Sequence, residues 1–256
     1  KYFEYSQGIL SPLSLYALVA QRAFHEWGIN SEDLAEIAVS ARKYSLLNKN
    51  AFNYGKNELT VDDVLNSGII SSPLHKLDCC LVTDGGGAVL ITNDKIAESL
   101  GLPKIKVKGF GQLDTHISYS QMPNYLITGA EQSSKNALIQ SKMSLDDVDI
   151  FQVYDSFTIT VLSTLASIGM DQPKNIIEKF KTGHYSLNGQ QPVNTSGGGL
   201  SYCHPGMLGL LLIIEAVKQL SGELENRQVE NASTALVHGT GGVFSTHATM
   251  ILERLG

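Results

Sequence analysis

The chain has 256 residues, 43% apolar and 17% charged, with a formal net charge of −6 and a pI near 5.6. That composition belongs to a folded globular protein with a large core. It offers no basic groove for nucleic acid and no Lys/Arg run for an anionic membrane, and no apolar stretch reaches the ~18 residues of a spanning helix.

The first dozen residues lack the pattern of a signal peptide. Ser11-Pro12 then reads as a helix start, a capping hydroxyl with proline at the first helical position. Leu15, Leu18, Val19 and Ala23 follow at helical spacing, and Gly28 closes the helix. Ser31 is placed as the cap of a second helix through Leu47. Residues 48–55 read as a loop, and Thr60-Val-Asp-Asp63 opens a short helix ending near Gly68.

Cys79 to Thr92, CCLVTDGGGAVLIT, reads as a strand interrupted by glycines, where a backbone neighbour comes close. Cys79, Cys80 and Cys203 are the only cysteines. An odd count with an adjacent pair argues against a disulfide framework and for a reducing, cytoplasmic setting. His75 near the pair is a poor zinc spacing, so no metal is expected. Asn93–Gly101 reads as a short helix, Lys104–Gly111 as a strand, Thr128–Met143 as a helix and Asp149–Val153 as a strand. Thr158–Ile168 is a helix stopped by Gly169, and Pro173–Gln191 a polar excursion. The run after His204, LLLIIEAVKQL, is apolar on nearly every face and reads as a buried helix starting near Pro205. Two strands, STALVH and VFSTHATMIL, close the chain as a hairpin around GTGG. Alternating helices and strands make the class α/β with layered packing.

The phosphate-loop, dinucleotide, GxSxG, HExxH and CxxC patterns are all missing. Three other stretches can carry chemistry. The first is NTSGGGLSYCHPGMLG at 194–209. A buried helix starting near Pro205 points its positive end at His204, which keeps the imidazole neutral and able to accept a proton. The glycines let a flat ligand approach the backbone. The alternative is a cap histidine satisfied by carbonyls. The second is Tyr154-Asp155-Ser156-Phe157, where Ser156 caps the next helix or Tyr154 donates to a substrate oxygen. The third is His238-Gly-Thr-Gly-Gly242, a bare turn or a turn that presents imidazole and N–H groups to a small site.

In that order and setting, the three stretches resemble the thiolase superfamily, of the sterol-carrier-protein-X and lipid-transfer-protein type. YDSF stands where thiolases carry Asn-Glu-Ala-Phe, the GGG…CHPG stretch stands at their Gly-His-Pro block, and HGTGG at their C-terminal Cys-x-Gly-Gly-Gly block. The resemblance implies a layered α/β/α/β/α fold of two similar halves, of which this chain holds the loop domain and the C-terminal half. Residues 1–78 would be the loop domain and the end of the N-terminal half. Residues 79–103 would be the last strand and helix of that half, and 104–256 the C-terminal half.

It also implies acyl-CoA substrates, with coenzyme A as part of the substrate and no separate cofactor. The implied assembly is a homodimer, or a heteromer with a chain supplying the missing half. His204 would be the base, Tyr154 the oxyanion donor and His238 the second acid/base group. Asp155, Ser156, Phe157, Asn194, Gly198, Gly199, Gly241 and Gly242 would line the substrate. Tyr154 and His238 depart from the family pattern, and no cysteine stands at a helix start as the family's nucleophile does. The expected activity is therefore a thiolase-like acyltransferase whose nucleophile comes from another segment. Two alternatives stand beside it: a retro-aldol lyase on 3-hydroxyacyl-CoA, and a non-catalytic acyl-CoA or lipid-binding subunit. Some relatives of this type work beside a small zinc-and-OB-fold partner.

Overall fold

The computed structural model describes all residues except Lys1, Leu102 and Gly256, and the side chains of Tyr2 and Phe3. In chain order the helices and strands begin with α1 (Tyr2–Tyr5), α2 (Pro12–Trp27), α3 (Ser31–Leu47), α4 (Val61–Leu65), β1 (Ile69–Ser71), β2 (Leu74–His75) and α5 (Asp94–Leu100). Next come β3 (Lys104–Asp114), α6 (Ala130–Ser141), β4 (Ile150–Val153), α7 (Thr158–Ile168) and α8 (Pro173–Lys181). A π-helical turn over Gly198–Tyr202, α9 (Gly209–Ser221), β5 (Thr234–Gly241) and β6 (Thr246–Leu255) complete the chain.

The main sheet runs β3-β6-β5-β4, with β4 and β5 parallel and the other pairs antiparallel. Strand alternation sends Ile150, Ala235, Val237 and Leu252 to one face, where Leu212, Ala216 and Leu220 of α9 cover them. Phe151, Val153, Leu236 and Ile251 point to the other face, into a larger core with α7, α2, α3 and α8. α7 is buried on almost every side. Each of its buried Leu and Ile side chains contributes about 1.5–3 kcal/mol. The described residues therefore form an α/β/α sandwich with a helical layer packed over α7. The exposed edge, β3, is blunted by lysines at 104, 106 and 108.

Several expected elements move. The cap of α3 is Asn30, whose side chain accepts from Asp33 N–H at 3.0 Å in a reciprocal capping box. Ser11 stands at the N-cap of α2 without bonding through its side chain. The polar excursion contains α8, whose Ile176, Ile177 and Phe180 form one buried stripe. Their i, i+1, i+4 spacing was masked by the surrounding charges.

Residues 79–92 form no strand. A strand needs a ladder, and this stretch has only an isolated bridge between Cys79 and Phe157 and a few backbone bonds near its start. Val82, between the bonded Leu81 and Thr83, stands 99% exposed, and Leu90 and Ile91 further on stand 77% and 84% exposed. The helix after His204 begins at Gly209 and is half-covered: Leu211, Leu212, Glu215 and Ala216 are buried, while Leu210 is exposed. β5 extends through Gly241, so the hairpin turn lies at 242–245 and His238 sits within the strand.

Candidate active site

The site forms where β4 ends. Residues 192–194 run beside β4: Phe151 N–H donates to the Pro192 carbonyl and Asn194 N–H to the Phe151 carbonyl, both at 2.9 Å. Asn194, at φ +54°, turns its side chain back to accept Val153 N–H at 2.8 Å. This pairing delivers the glycine block to the end of β4.

Asp155 anchors the block. Its carboxylate is fully buried and accepts Gly199 N–H at 2.7 Å and Leu200 N–H at 3.1 Å, the second and third donors of the π-helical turn. Burial pushes Asp155 up to about 7, against those two donors. The turn ends at Cys203, and His204 follows.

Tyr154, on the α9 face of β4, meets His204. The phenol oxygen lies 3.0 Å from Nε2, and the rings are edge-on with centroids 5.6 Å apart. The Leu208 backbone N–H, just before α9, acts against the burial that raises the Tyr154 phenol. His204 lies below the ordinary imidazole value, chiefly because it is partly buried. Tyr154 lies above the ordinary phenol value for the same reason. The resting pair is a neutral phenol and a neutral imidazole. When the Tyr154 O–H is the donor in the 3.0 Å bond, the ring proton of His204 sits on Nδ1. Nε2 is then a bare acceptor for the Tyr154 O–H.

Tyr154, Asp155, Gly198, Gly199 and His204 thus come together. Ser156 and Phe157 sit behind them. Ser156 does not cap α7 but pairs with Thr160 at 3.0 Å, and Phe157 packs on Tyr16 with centroids at 4.7 Å. The Tyr16 hydroxyl donates to the Gly242 carbonyl at 3.2 Å, so Tyr16 ties Gly242 to Phe157 of the YDSF segment. His238 does not join this group. It shares the opposite face of β5 with Leu236, is fully buried, and has both ring nitrogens engaged. Nδ1 lies 2.8 Å from Thr249 Oγ1 and Nε2 3.3 Å from His247 Nδ1. Burial, then the His247 charge, depresses it.

Cys79 and Cys80 are partly buried and free, and burial pushes both thiols up to about 12. No group of three or more metal-ligating side chains occurs among the described residues, and no described helix is long and apolar enough to cross a membrane. Sequence reasoning missed Tyr16 and Thr83, which touch the site from distant segments. Only the polar Thr-Asp preceding the glycine triplet hinted at the second.

Residues 111–254 match the thiolase C-terminal domain-like family, and the chain belongs to it. It is 31% identical to an acetyl-CoA acetyltransferase of Methanothermobacter thermautotrophicus, over 98% of this chain and 66% of that protein. It is 32% identical to a steroid side-chain-cleaving aldolase of Thermomonospora curvata, over 91% of this chain and 60% of that protein. Among solved structures it resembles the Ltp2-ChsH2(DUF35) aldolase with a TM-score of 0.89 and 27% identity, covering 98% of this chain and 65% of that one. The chain spans between 42% and 66% of the length of the curated relatives it resembles.

Proposed function

We propose that this protein cleaves a carbon–carbon bond in a 3-hydroxyacyl-CoA by retro-aldol chemistry, with Tyr154 and His204 as a coupled acid–base pair. The observation that carries this reading is the 3.0 Å bond between the phenol oxygen and Nε2. Tyr154 takes the proton of the C3 hydroxyl and passes its own to Nε2. The C2–C3 electron pair moves onto the thioester as an enolate, and a ketone or aldehyde leaves. The imidazolium returns its proton through Tyr154 to C2, giving the shortened acyl-CoA. The Leu208 N–H and the positive end of α9 favour phenolate at the moment it forms. The likeness to two aldolases supports the same reading.

A second reading, thiolase-like acyl transfer, is favoured by the likeness to an acetyltransferase. There Tyr154 would donate to the thioester oxygen and His204 would activate a thiol from another segment, because thiols held near 12 are poor nucleophiles at neutral pH. The chain would serve as loop domain (1–78), end of the N-terminal half (79–103) and C-terminal half (104–256) of a complete assembly. That assembly would be a homodimer or a heteromer, joined by a small zinc-and-OB-fold partner; the Ltp2 aldolase is itself named with a ChsH2(DUF35) partner. The experiment is product analysis on the full assembly with a 3-hydroxyacyl-CoA and no free CoA. Ketone or aldehyde release, lost in Tyr154→Phe and His204→Ala, is expected. Turnover that requires added CoA and leaves an acylated cysteine would replace this reading with the second.

A further inference from the structure

Residues 79–84 lack a ladder, yet their start is bound tightly to the site. Cys80 N–H donates to the Ser156 carbonyl and Leu81 N–H to the Gly199 carbonyl, both at 2.9 Å. Thr83 then makes three bonds. Its Oγ1 accepts the His204 N–H at 2.9 Å, its N–H donates to the His204 carbonyl at 3.4 Å, and its hydroxyl donates to Cys203 Sγ at 3.3 Å. The Cys203 thiol in turn donates to the Asp84 carbonyl at 3.5 Å. Each hydrogen in this set is used once, so the set has a single direction. Gly85 lies against the same residue: a Cβ there would run into Cys203 Sγ. One threonine therefore holds both the N–H and the carbonyl of residue 204. The ring of the same residue meets the Tyr154 phenol oxygen through Nε2 at 3.0 Å.

We propose that Thr83 is a positioning residue for His204, clamping its backbone so that Nε2 stays in place to accept from Tyr154. The functional part of this proposal rests on the acid–base reading of the Tyr154–His204 pair. The structural part, the clamp on the backbone of residue 204, does not.

The test compares Thr83→Val with Thr83→Ser in the full assembly, with nitrogen-15 NMR of the histidines as a readout independent of activity. Serine keeps the acceptor and the donor; valine keeps the shape and removes both. Thr83→Val is expected to lower kcat by about ten- to a hundredfold, the scale of a small misplacement of a reacting group, with KM unchanged. Thr83→Ser is expected to restore kcat to within about threefold. The wild-type His204 ring is expected to carry its proton on Nδ1, and Thr83→Val to show a mixed tautomer. Because Asp155 also titrates near neutrality, His204 is followed by its own resonance and not by the activity profile alone. Wild-type kcat with an unchanged His204 spectrum in Thr83→Val overturns the proposal, as does failure of serine to restore. If Thr83→Val does not fold, the wild-type spectrum still decides: a ring protonated on Nε2 overturns the clamp. If Thr83→Val shows the mixed tautomer while His204→Ala retains full turnover, the acid–base reading fails and the clamp stands.

Discussion

A single methyl group at residue 199 should separate the geometry of the site from its mere presence. A Cβ on Gly199 would stand 2.9 Å from His204 Cδ2, and 3.2 Å from both the carbonyl and Oδ1 of Asp155. Ordinary carbon–carbon contact is about 3.5–4.0 Å, so the imidazole must retreat by roughly 0.6–1 Å. The Tyr154–His204 bond is 3.0 Å long. A retreat of that size takes it past the ~3.2 Å reach of a good hydrogen bond unless the phenol follows. Displacement on this scale costs on the order of a hundredfold in rate. Gly199 has no positive φ, and its N–H remains free to bond Asp155, so the fold should survive. Gly86→Ala is the control, since a Cβ there meets nothing within 4 Å. The assay is kcat and KM for ketone or aldehyde release, with circular dichroism and urea midpoints for folding. A folded Gly199→Ala enzyme with wild-type kcat refutes the reasoning. Raised KM at unchanged kcat would assign the methyl to blocking substrate and not to moving the ring.

Other outcomes follow from the buried polar groups. His238 and His247 are both depressed by burial, so each favours the neutral ring in the fold. Their stabilising effect is complete above the ordinary imidazole value near 6.5 and is lost as pH falls below it. Urea midpoints should therefore drop between pH 7 and pH 5, and His238→Gln should flatten that slope; an identical slope in the variant would show that other groups set it. The Glu215–Arg227 pair is buried, with Thr195 donating to Glu215 at 2.6 Å. Arg227→Met should cost about 3–5 kcal/mol by leaving a buried carboxylate unpaired, and Glu215→Leu/Arg227→Met should recover much of it in chemical denaturation. Asp155 should show a protonated-carboxyl infrared band that fades as pH rises through about 7. Its raised value stabilises the fold below the ordinary carboxylate range, an effect lost as pH rises through that midpoint. A band unchanged in Asp155→Asn would assign it elsewhere.

Much of this organisation was legible along the chain. Gly28, Gly101 and Gly169 end α2, α5 and α7 in left-handed conformations, as their positions after apolar periodic runs implied. Tyr154 and His204 were both singled out from glycine-rich or strand-end settings, and they meet. The helix after His204 was expected to start near Pro205. Where α9 starts depends on how residues 203–208 turn, which local propensity does not encode, and the start fell at Gly209.

Local sequence determined the things that depend on a few neighbouring residues: helix runs, glycine stops, the closing hairpin and the clustering of polar groups at the ends of elements. Tertiary structure decided which of those groups share a space. Tyr154, just past the end of β4, donates its N–H to the carbonyl of His238 within β5, yet strand alternation sends the two side chains to opposite faces of the sheet. Thr83 and His204 lie 121 positions apart and are bonded. Pleat parity and long-range pairing are set by the whole packed sheet, and no window of the chain contains them.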